Sequence, residues 1–305
     1  MKLTSAKFSQ AVHICVYGGP KSGKTELVGK LAEKYNLLWF DLERGAATLT
    51  KLPHEWQERI ELVSLADTRV FPIGIETMLK VIKGSLVKIC DLHGKVNCPL
   101  CTKSSSSFTE VELNSLDPTS WVVVLDSGTQ LANSAMSHIT KGQPDDYKYE
   151  WEDYRKQGTL MDMFLSQVQQ APFSFVFITH EAEVELEDGK TKKLVPVAGT
   201  TNFSRNTAKY FDHVVRCEIR NKKHAFGSST TFSLNALTGS RTDVEIEKST
   251  EASLLPFFSS TCKEQKAEQP TQKQESAVQV DDPKPESAAN ASLSKLAALR
   301  AAGKK

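Results

Sequence analysis

"GGPKSGKTELVGKLAEKY", residues 18–35, decides the fold. Gly18, Gly23, Lys24 and Thr25 match the spacing G-x-x-x-x-G-K-T, with Gly19, Pro20, Lys21 and Ser22 filling the loop. The apolar run "VHICVY" (12–17) precedes the loop. A helical stripe of Leu27, Val28, Leu31 and Ala32 follows it. A glycine-rich loop between a strand and a helix is the context that gives this spacing its meaning. The glycines let the backbone wrap a phosphate without Cβ clashes. Successive N–H groups and the helix start then face the anionic oxygens. Lys24 is expected at the β/γ-phosphates and Thr25 on Mg²⁺, so ATP and Mg²⁺ are the expected cofactors.

The metal side of such a site needs a carboxylate at a neighbouring strand tip. "WVVVLDS" supplies Asp126 after an apolar run, with Ser127 beside it. Hydrolysis needs a further group to orient water. Serine rather than glutamate follows Asp126, so the base is sought elsewhere. "LLWFDLERG" offers Asp41 and Glu43. Glu43 is expected as the base. Asp41 either shares its strand face or supports the loop. "FSFVFI" forms another strand that ends at Thr179 and His180, where a polar side chain can sense the γ-phosphate.

These apolar runs suit strands buried on both faces. Helical patterns separate them, including the stripe of Leu160, Met161, Phe164, Leu165 and Val168 within 157–170. The alternation predicts an α/β fold with a mostly parallel sheet. "VELEDGKTKKLVPV" reads as a hairpin turning near Asp188-Gly189. "YFDHVVRCEIR" and "STTFSLNAL" read as later strands.

With 305 residues, 39% apolar and 25% charged, the chain can build one good-sized core. A formal net charge of +1 gives no global pull towards nucleic acid. No apolar run reaches the length of a membrane span. The N-terminal stretch lacks a signal-peptide core. Residues 1–259 are therefore expected to form the globular part. From 260 to 305 the composition turns to Gln, Lys, Glu, Ser, Ala and Pro, which predicts a disordered tail with a short terminal helix, a docking segment or a plain end.

Residues 90–101, "CDLHGKVNCPLC", set Cys90, His93, Cys98 and Cys101 in two short knuckles. Four soft ligands at this spacing suit tetrahedral Zn²⁺ in a structural role. The set reads as part of an insertion, 84–117, outside the α/β core and lacking an apolar core of its own. Cys15 and Cys217 sit in apolar strands and read as core residues.

Taken together, the motifs resemble the RecA-like recombinase superfamily, and most of all its short phage-encoded ATPases of strand annealing and homologous recombination. "GGPKSGKT" stands for the first motif, "WFDLERG" for the glutamate strand, "VVVLDS" for the metal strand and "FVFITHE" for the sensor strand. The resemblance implies a RecA-like P-loop NTPase core over roughly residues 10–245. It places catalysis on Lys24, Glu43, Asp126 and His180. "GTTNFSRNTAKYFDHVVRCEIR" resembles the stretch where a DNA-binding loop feeds a helix, which puts Thr200, Thr201, Asn202 and Arg205 near single-stranded DNA. Arg216, Arg220, Lys222, Lys223 and His224 form a basic cluster that faces DNA, a neighbouring subunit's γ-phosphate or solvent.

The implied protein works in the cytoplasm, of the host if phage-encoded. It binds single-stranded DNA, forms a homo-oligomer, and meets a replication or recombination protein through its tail. About ten residues precede the first strand, so a long filament is not expected. Two other functions fit the phosphate loop: a small-molecule kinase, and an ATP-gated scaffold without catalysis.

Overall fold

The computed structural model describes residues 10–258 apart from 66, 69, 70, 105, 186–190, 234, 245 and 249–251. The expected tail and terminal helix at 260–305 lie outside the described residues.

Eleven strands are present among these residues: β1 (His13–Gly18), β2 (Asn36–Asp41), β3 (Ile60–Ser64), β4 (Val87–Cys90), β5 (Phe108–Val111), β6 (Trp121–Asp126), β7 (Ser174–Glu185), β8 (Lys192–Pro196), β9 (His213–Arg220), β10 (Lys223–Gly227) and β11 (Gly239–Ser240). The main sheet runs β10-β9-β1-β7-β6-β2-β3. From β9 to β3 all neighbours are parallel. β8, β10 and β11 add antiparallel pairs. The expected α/β fold with a mostly parallel sheet is the observed one.

The two-residue period of the strands divides the core between two faces. Ile14, Val16, Leu37, Trp39, Val122, Val124, Val176 and Ile178 point to one side. There they meet Leu27, Val28 and Leu31 of α1 (Lys24–Gly29) and the 3₁₀ turn after it. Cys15, Tyr17, Leu38, Phe40, Val123, Leu125, Phe175 and Phe177 point to the other side. That side is covered by three helices, which after α2 (His54–Gln57) are α3 (Ile73–Val81) and, past α4 (Pro99–Lys103), α5 (Gly128–Ile139) and α6 (Trp151–Gln169). Fully burying each such Phe, Leu or Val contributes about 1.5–3 kcal/mol, so the double-sided burial is what selects these runs as central strands. Leu254, Phe257 and Phe258 close the α1 face, with the Phe258 ring 5.0 Å from Tyr35.

Four expectations change. β7 continues through Glu185 instead of ending at His180, because Glu181–Glu185 leave the parallel sheet to pair with β8. The hairpin is there, and its turn lies outside the described residues. "STTFSLNAL" (229–237) is not a strand; its described residues are turn and irregular chain apart from a bridge of Ala236 to Leu194. The strand following β9 is β10, formed by Lys223–Gly227. Residues 200–205 are not an open loop, since α7 (Thr201–Arg205) forms there with Thr200 as its cap.

The cysteine-rich segment also differs from expectation. Ile89, Val96, Val111 and Leu113 sink into the main core, so the β4–β5 hairpin is anchored to the domain. Only Cys90, Cys98 and Cys101, with Phe108, form a cluster of their own. No helix among the described residues is long and apolar enough to cross a membrane.

Candidate nucleotide site

The parallel strands all point their C-terminal ends the same way, and ligands of such sheets bind at those ends. β1 delivers Gly18, β6 delivers Asp126, β7 delivers His180, and the turn after β2 delivers Glu43. A cleft of about 390 Å³ opens among them, lined by Lys21, Ser22, Gly23, Lys24, Thr25, Glu43, Asp126 and His180. Four places far apart in the sequence, the phosphate loop, Glu43, Asp126 and His180, thus share one cavity.

The loop itself folds as its residues require. Gly23 has φ +92°, a left-handed conformation, and its Cα side faces the His224 ring, which would lie 3.1 Å from any Cβ placed there. The Lys24 ammonium donates to the carbonyls of Gly18 (3.0 Å) and Gly19 (2.8 Å). Burial lowers its pKa, against the pull of Asp126, Glu43 and Glu181. The buried Ser22 hydroxyl has no hydrogen-bond partner among the described residues.

The Thr25 hydroxyl donates to Asp126 Oδ2 at 3.0 Å, so the two expected metal residues meet. Asp126 is 3% exposed. Burial first, then the charges of Glu43 and Asp41, push its carboxyl up to about 7. A carboxylate so placed gains from a cation, and the Thr25–Asp126 pair fits Mg²⁺, which takes few protein ligands along with phosphates and waters. The Asp126–Ser127 peptide is cis.

Glu43 lies beyond the end of β2, so it shares no strand face with Asp41. Asp41 supports the loop: its carboxylate accepts from the backbone N–H groups of Glu43, Gly45 and Ala46, each at 3.1 Å. The turn held this way aims Glu43 into the cleft. Its carboxylate accepts a short hydrogen bond from the Ser127 hydroxyl and stands 3.3 Å from His180 Nε2. Burial works against its charge, but the bonds from His180 and Ser127 prevail and hold its carboxyl below the usual range.

β2 is not beside β1; β7 and β6 lie between them. The Glu43 turn nonetheless reaches the phosphate loop, because Leu42 N–H bonds the Asp126 carbonyl at 2.6 Å and draws the ends of β2 and β6 together. Thr48, Lys51 and His224 also line the cleft. Sequence reading did not place Thr48 or Lys51 there, since no motif marks the 3₁₀ turn Gly45–Lys51 that brings them in.

From His180 a bonded route leads to α7. The His180 N–H donates to Thr129 Oγ1 at 3.1 Å, and that hydroxyl lies 2.9 Å from Thr179 Oγ1. Thr179 donates to the Val197 carbonyl at 2.5 Å, while Val197 N–H donates to the His180 carbonyl at 2.9 Å. One residue further, Ala198 N–H donates to Ser204 of α7 at 3.1 Å.

Thr201 and Asn202 are exposed, and the Thr200 hydroxyl is used as the α7 cap. Arg205 donates to the Glu185 carbonyl by a short bond. Two of the five basic residues are paired: Arg216 is buried against Glu181 and Glu218, and Arg220 bonds Glu218 at 2.5 Å, while Lys222, Lys223 and His224 are exposed.

The AAA domain family matches residues 10–244. The chain belongs to that AAA domain family. The phosphate loop, the Asp126 strand and the cleft all fall within the matched span, and the chain carries an AAA-type P-loop ATPase domain. No curated protein matches. Among solved structures, a prototypical ATPase from the type III secretion system of pathogenic bacteria is similar over 68% of this AAA-domain chain, at 13% identity and a TM-score of 0.37. The chain spans about half, 52%, of that ATPase.

Proposed function

We propose that this protein is an ATP-dependent single-stranded DNA-binding protein of phage-type homologous recombination or strand annealing, in which ATP hydrolysis resets DNA affinity. The observation that carries the reading is the double engagement of His180. Its ring meets the candidate base Glu43, and its main chain is bonded, through Thr129, Thr179 and Val197, towards α7.

ATP, held with Mg²⁺, supplies the phosphoanhydride that the cycle consumes. Lys24 and the loop Gly18–Thr25 hold its phosphates, while Thr25 and Asp126 hold the cation. Glu43, ionised and fixed by Ser127 and His180, orients a water and takes its proton. His180 reports the γ-phosphate. A shift of its ring reaches the Val197–Thr200 segment because each link is a direct hydrogen bond.

Thr200, Thr201, Asn202 and Arg205 bind the sugar–phosphate backbone of DNA. Such contacts give slight sequence preference and strong salt dependence. For Arg205 this means exchanging the Glu185 carbonyl for a phosphate oxygen. The Cys90, His93, Cys98 and Cys101 set takes no chemical part in the cycle; it is proposed as a structural Zn²⁺ site. The ATPase rate with and without single-stranded DNA tests the reading. DNA-stimulated turnover supports it. Turnover driven by a small-molecule acceptor would favour a kinase, and binding without turnover a scaffold.

A further inference from the structure

Cys90 closes β4, His93 lies in the turn that follows, Cys98 precedes α4 and Cys101 lies within it. One ligand atom from each lies within 4.8 Å of all the others. His93 Nδ1 stands 3.2 Å from Cys101 Sγ, 3.6 Å from Cys98 Sγ and 3.9 Å from Cys90 Sγ. A tetrahedral zinc with bonds of about 2.3 Å to sulfur and about 2.0–2.1 Å to nitrogen has N···S edges of about 3.5–3.6 Å. The three observed edges straddle that value. The three thiols are at most 3% exposed, and none is in a disulfide. Thiols are weak donors and poor partners for one another. A divalent, thiophilic ion satisfies all four groups at once.

What the knuckle touches gives the site a consequence. Gly94 follows His93 with φ +67°, and a Cβ there would fall 2.6 Å from the Ser64 carbonyl and 3.1 Å from Leu65 Cα. Its carbonyl accepts from the buried Thr77 hydroxyl of α3 at 2.8 Å. The knuckle is therefore seated on the end of β3. Leu65 N–H in turn donates to the Asp41 carbonyl at 2.9 Å, and the Asp41 carboxylate holds the Glu43–Ala46 turn. Four steps join the cysteine cluster to Glu43: Gly94, Leu65, Asp41 and the turn. Lys24 is instead held by the Gly18 and Gly19 carbonyls, and Thr25 is reached by a longer path, through Leu42 and Asp126.

We propose that Cys90, His93, Cys98 and Cys101 bind one structural zinc ion, and that the metal knuckle holds the Asp41–Glu43 turn in place through Gly94 and Leu65. The metal half stands alone; the half concerning turnover rests on Glu43 as the base of ATP hydrolysis. Gly94 and Leu65 are positioning residues, and loss of the metal separates nucleotide binding from hydrolysis.

The experiment uses the full chain purified under reducing conditions without chelator. Elemental analysis is expected to give about one zinc per chain, and Co²⁺ exchange to give the thiolate charge-transfer and tetrahedral d–d bands of a Cys₃His site. Cys98→Ser loses the metal; His93→Cys, which keeps four soft ligands, retains it. Gly94→Ala keeps every ligand but pushes the knuckle off β3. Both C98S and G94A are expected to bind ATP within about threefold of wild type while turnover falls about tenfold or more, the cost of a displaced catalytic group. H93C, which keeps the metal, keeps turnover within about threefold of wild type. Hydrogen exchange at the amides of Glu43, Gly45 and Ala46 speeds up in C98S and G94A, a readout independent of activity.

Metal-free wild-type protein, or a Co²⁺ spectrum without thiolate bands, overturns the zinc site. Zinc present, with unchanged turnover and exchange in both variants, overturns the brace. Zinc present and faster exchange in C98S, in a wild type that hydrolyses no ATP, supports site and brace and instead refutes the ATPase reading. If C98S fails to fold, G94A and H93C decide the brace and the spectrum decides the metal.

Discussion

Glu43 Oε1 lies 3.3 Å from His180 Nε2, although one residue follows β2 and the other stands within β7. The same oxygen accepts from Ser127, next to the metal candidate Asp126. The candidate base is thus tied to both the sensor and the metal strand before any chemistry begins.

The base assignment has a direct test. Glu43→Gln keeps the side chain's shape and loses its charge. Nucleotide affinity is expected to stay within about threefold, while turnover falls by about 10²-fold or more, the range of general-base catalysis. Equilibrium binding of a fluorescent nucleotide and single-turnover hydrolysis measure the two. E43Q turning over at the wild-type rate would show that another carboxylate does the work.

The His180 contact predicts a change in pH dependence. Despite burial, His180 and Ser127 hold the Glu43 carboxyl below its usual range. Removing the ring raises that pKa. His180→Ala should therefore lose kcat/KM at a higher pH than wild type as the solution is made more acidic. With about a third of the Glu43 side chain exposed, solvent screening keeps the move to roughly one pH unit or less. An acid limb that stays in place would separate His180 from the base.

Asp126 predicts a trade of stability for metal binding. Its carboxyl is pushed up to about 7 by burial and by neighbouring carboxylates. A raised acid pKa means that the folded chain holds the proton more tightly than the unfolded one. The stability from this group is full below about pH 4 and is lost as pH rises through about 7. At pH 8, without nucleotide or Mg²⁺, Asp126→Asn should raise stability by on the order of 2–4 kcal/mol. The gain should vanish near pH 4, and Mg²⁺-dependent nucleotide binding should be weakened. Thermal melts at the two pH values check it; a lower Tm at pH 8 would contradict the burial argument.

Lys24→Ala removes the main positive charge of the phosphate cradle. Turnover should be abolished with the fold intact by circular dichroism. Normal hydrolysis in folded K24A would displace the site from this cleft.

How far the sequence speaks can be judged from particular strands. β1, β2, β6 and β7 are legible because both faces are buried and the runs are dominated by aliphatic and aromatic residues. β3, at the sheet edge, has Glu61, Leu62 and Ser64 exposed, and β10 opens with exposed Lys223 and His224; neither carries an apolar run, and neither was read. The helical stripe at 157–170 lies within a helix that begins six residues earlier, since Glu150 and Asp153 form a capping box that makes Trp151 the first helical residue. Within the cleft, Lys24 and Thr25 follow from a local pattern. The Ser127–Glu43 bond, across 84 residues, and the Glu43–His180 contact are tertiary facts that no local pattern encodes. The seat of Gly94 on Leu65 is of the same kind.

The most direct test of the account is anisotropy of a labelled single-stranded oligonucleotide, measured with ADP and with a non-hydrolysable ATP analogue. The analogue should tighten binding at least about fivefold, the lower range of an allosteric coupling, and affinity should fall with added salt. Arg205→Ala should weaken both states with basal hydrolysis near normal, and His180→Ala should leave DNA binding but flatten the difference between nucleotides. No DNA affinity in either state, at low salt and micromolar protein, would contradict the proposed function.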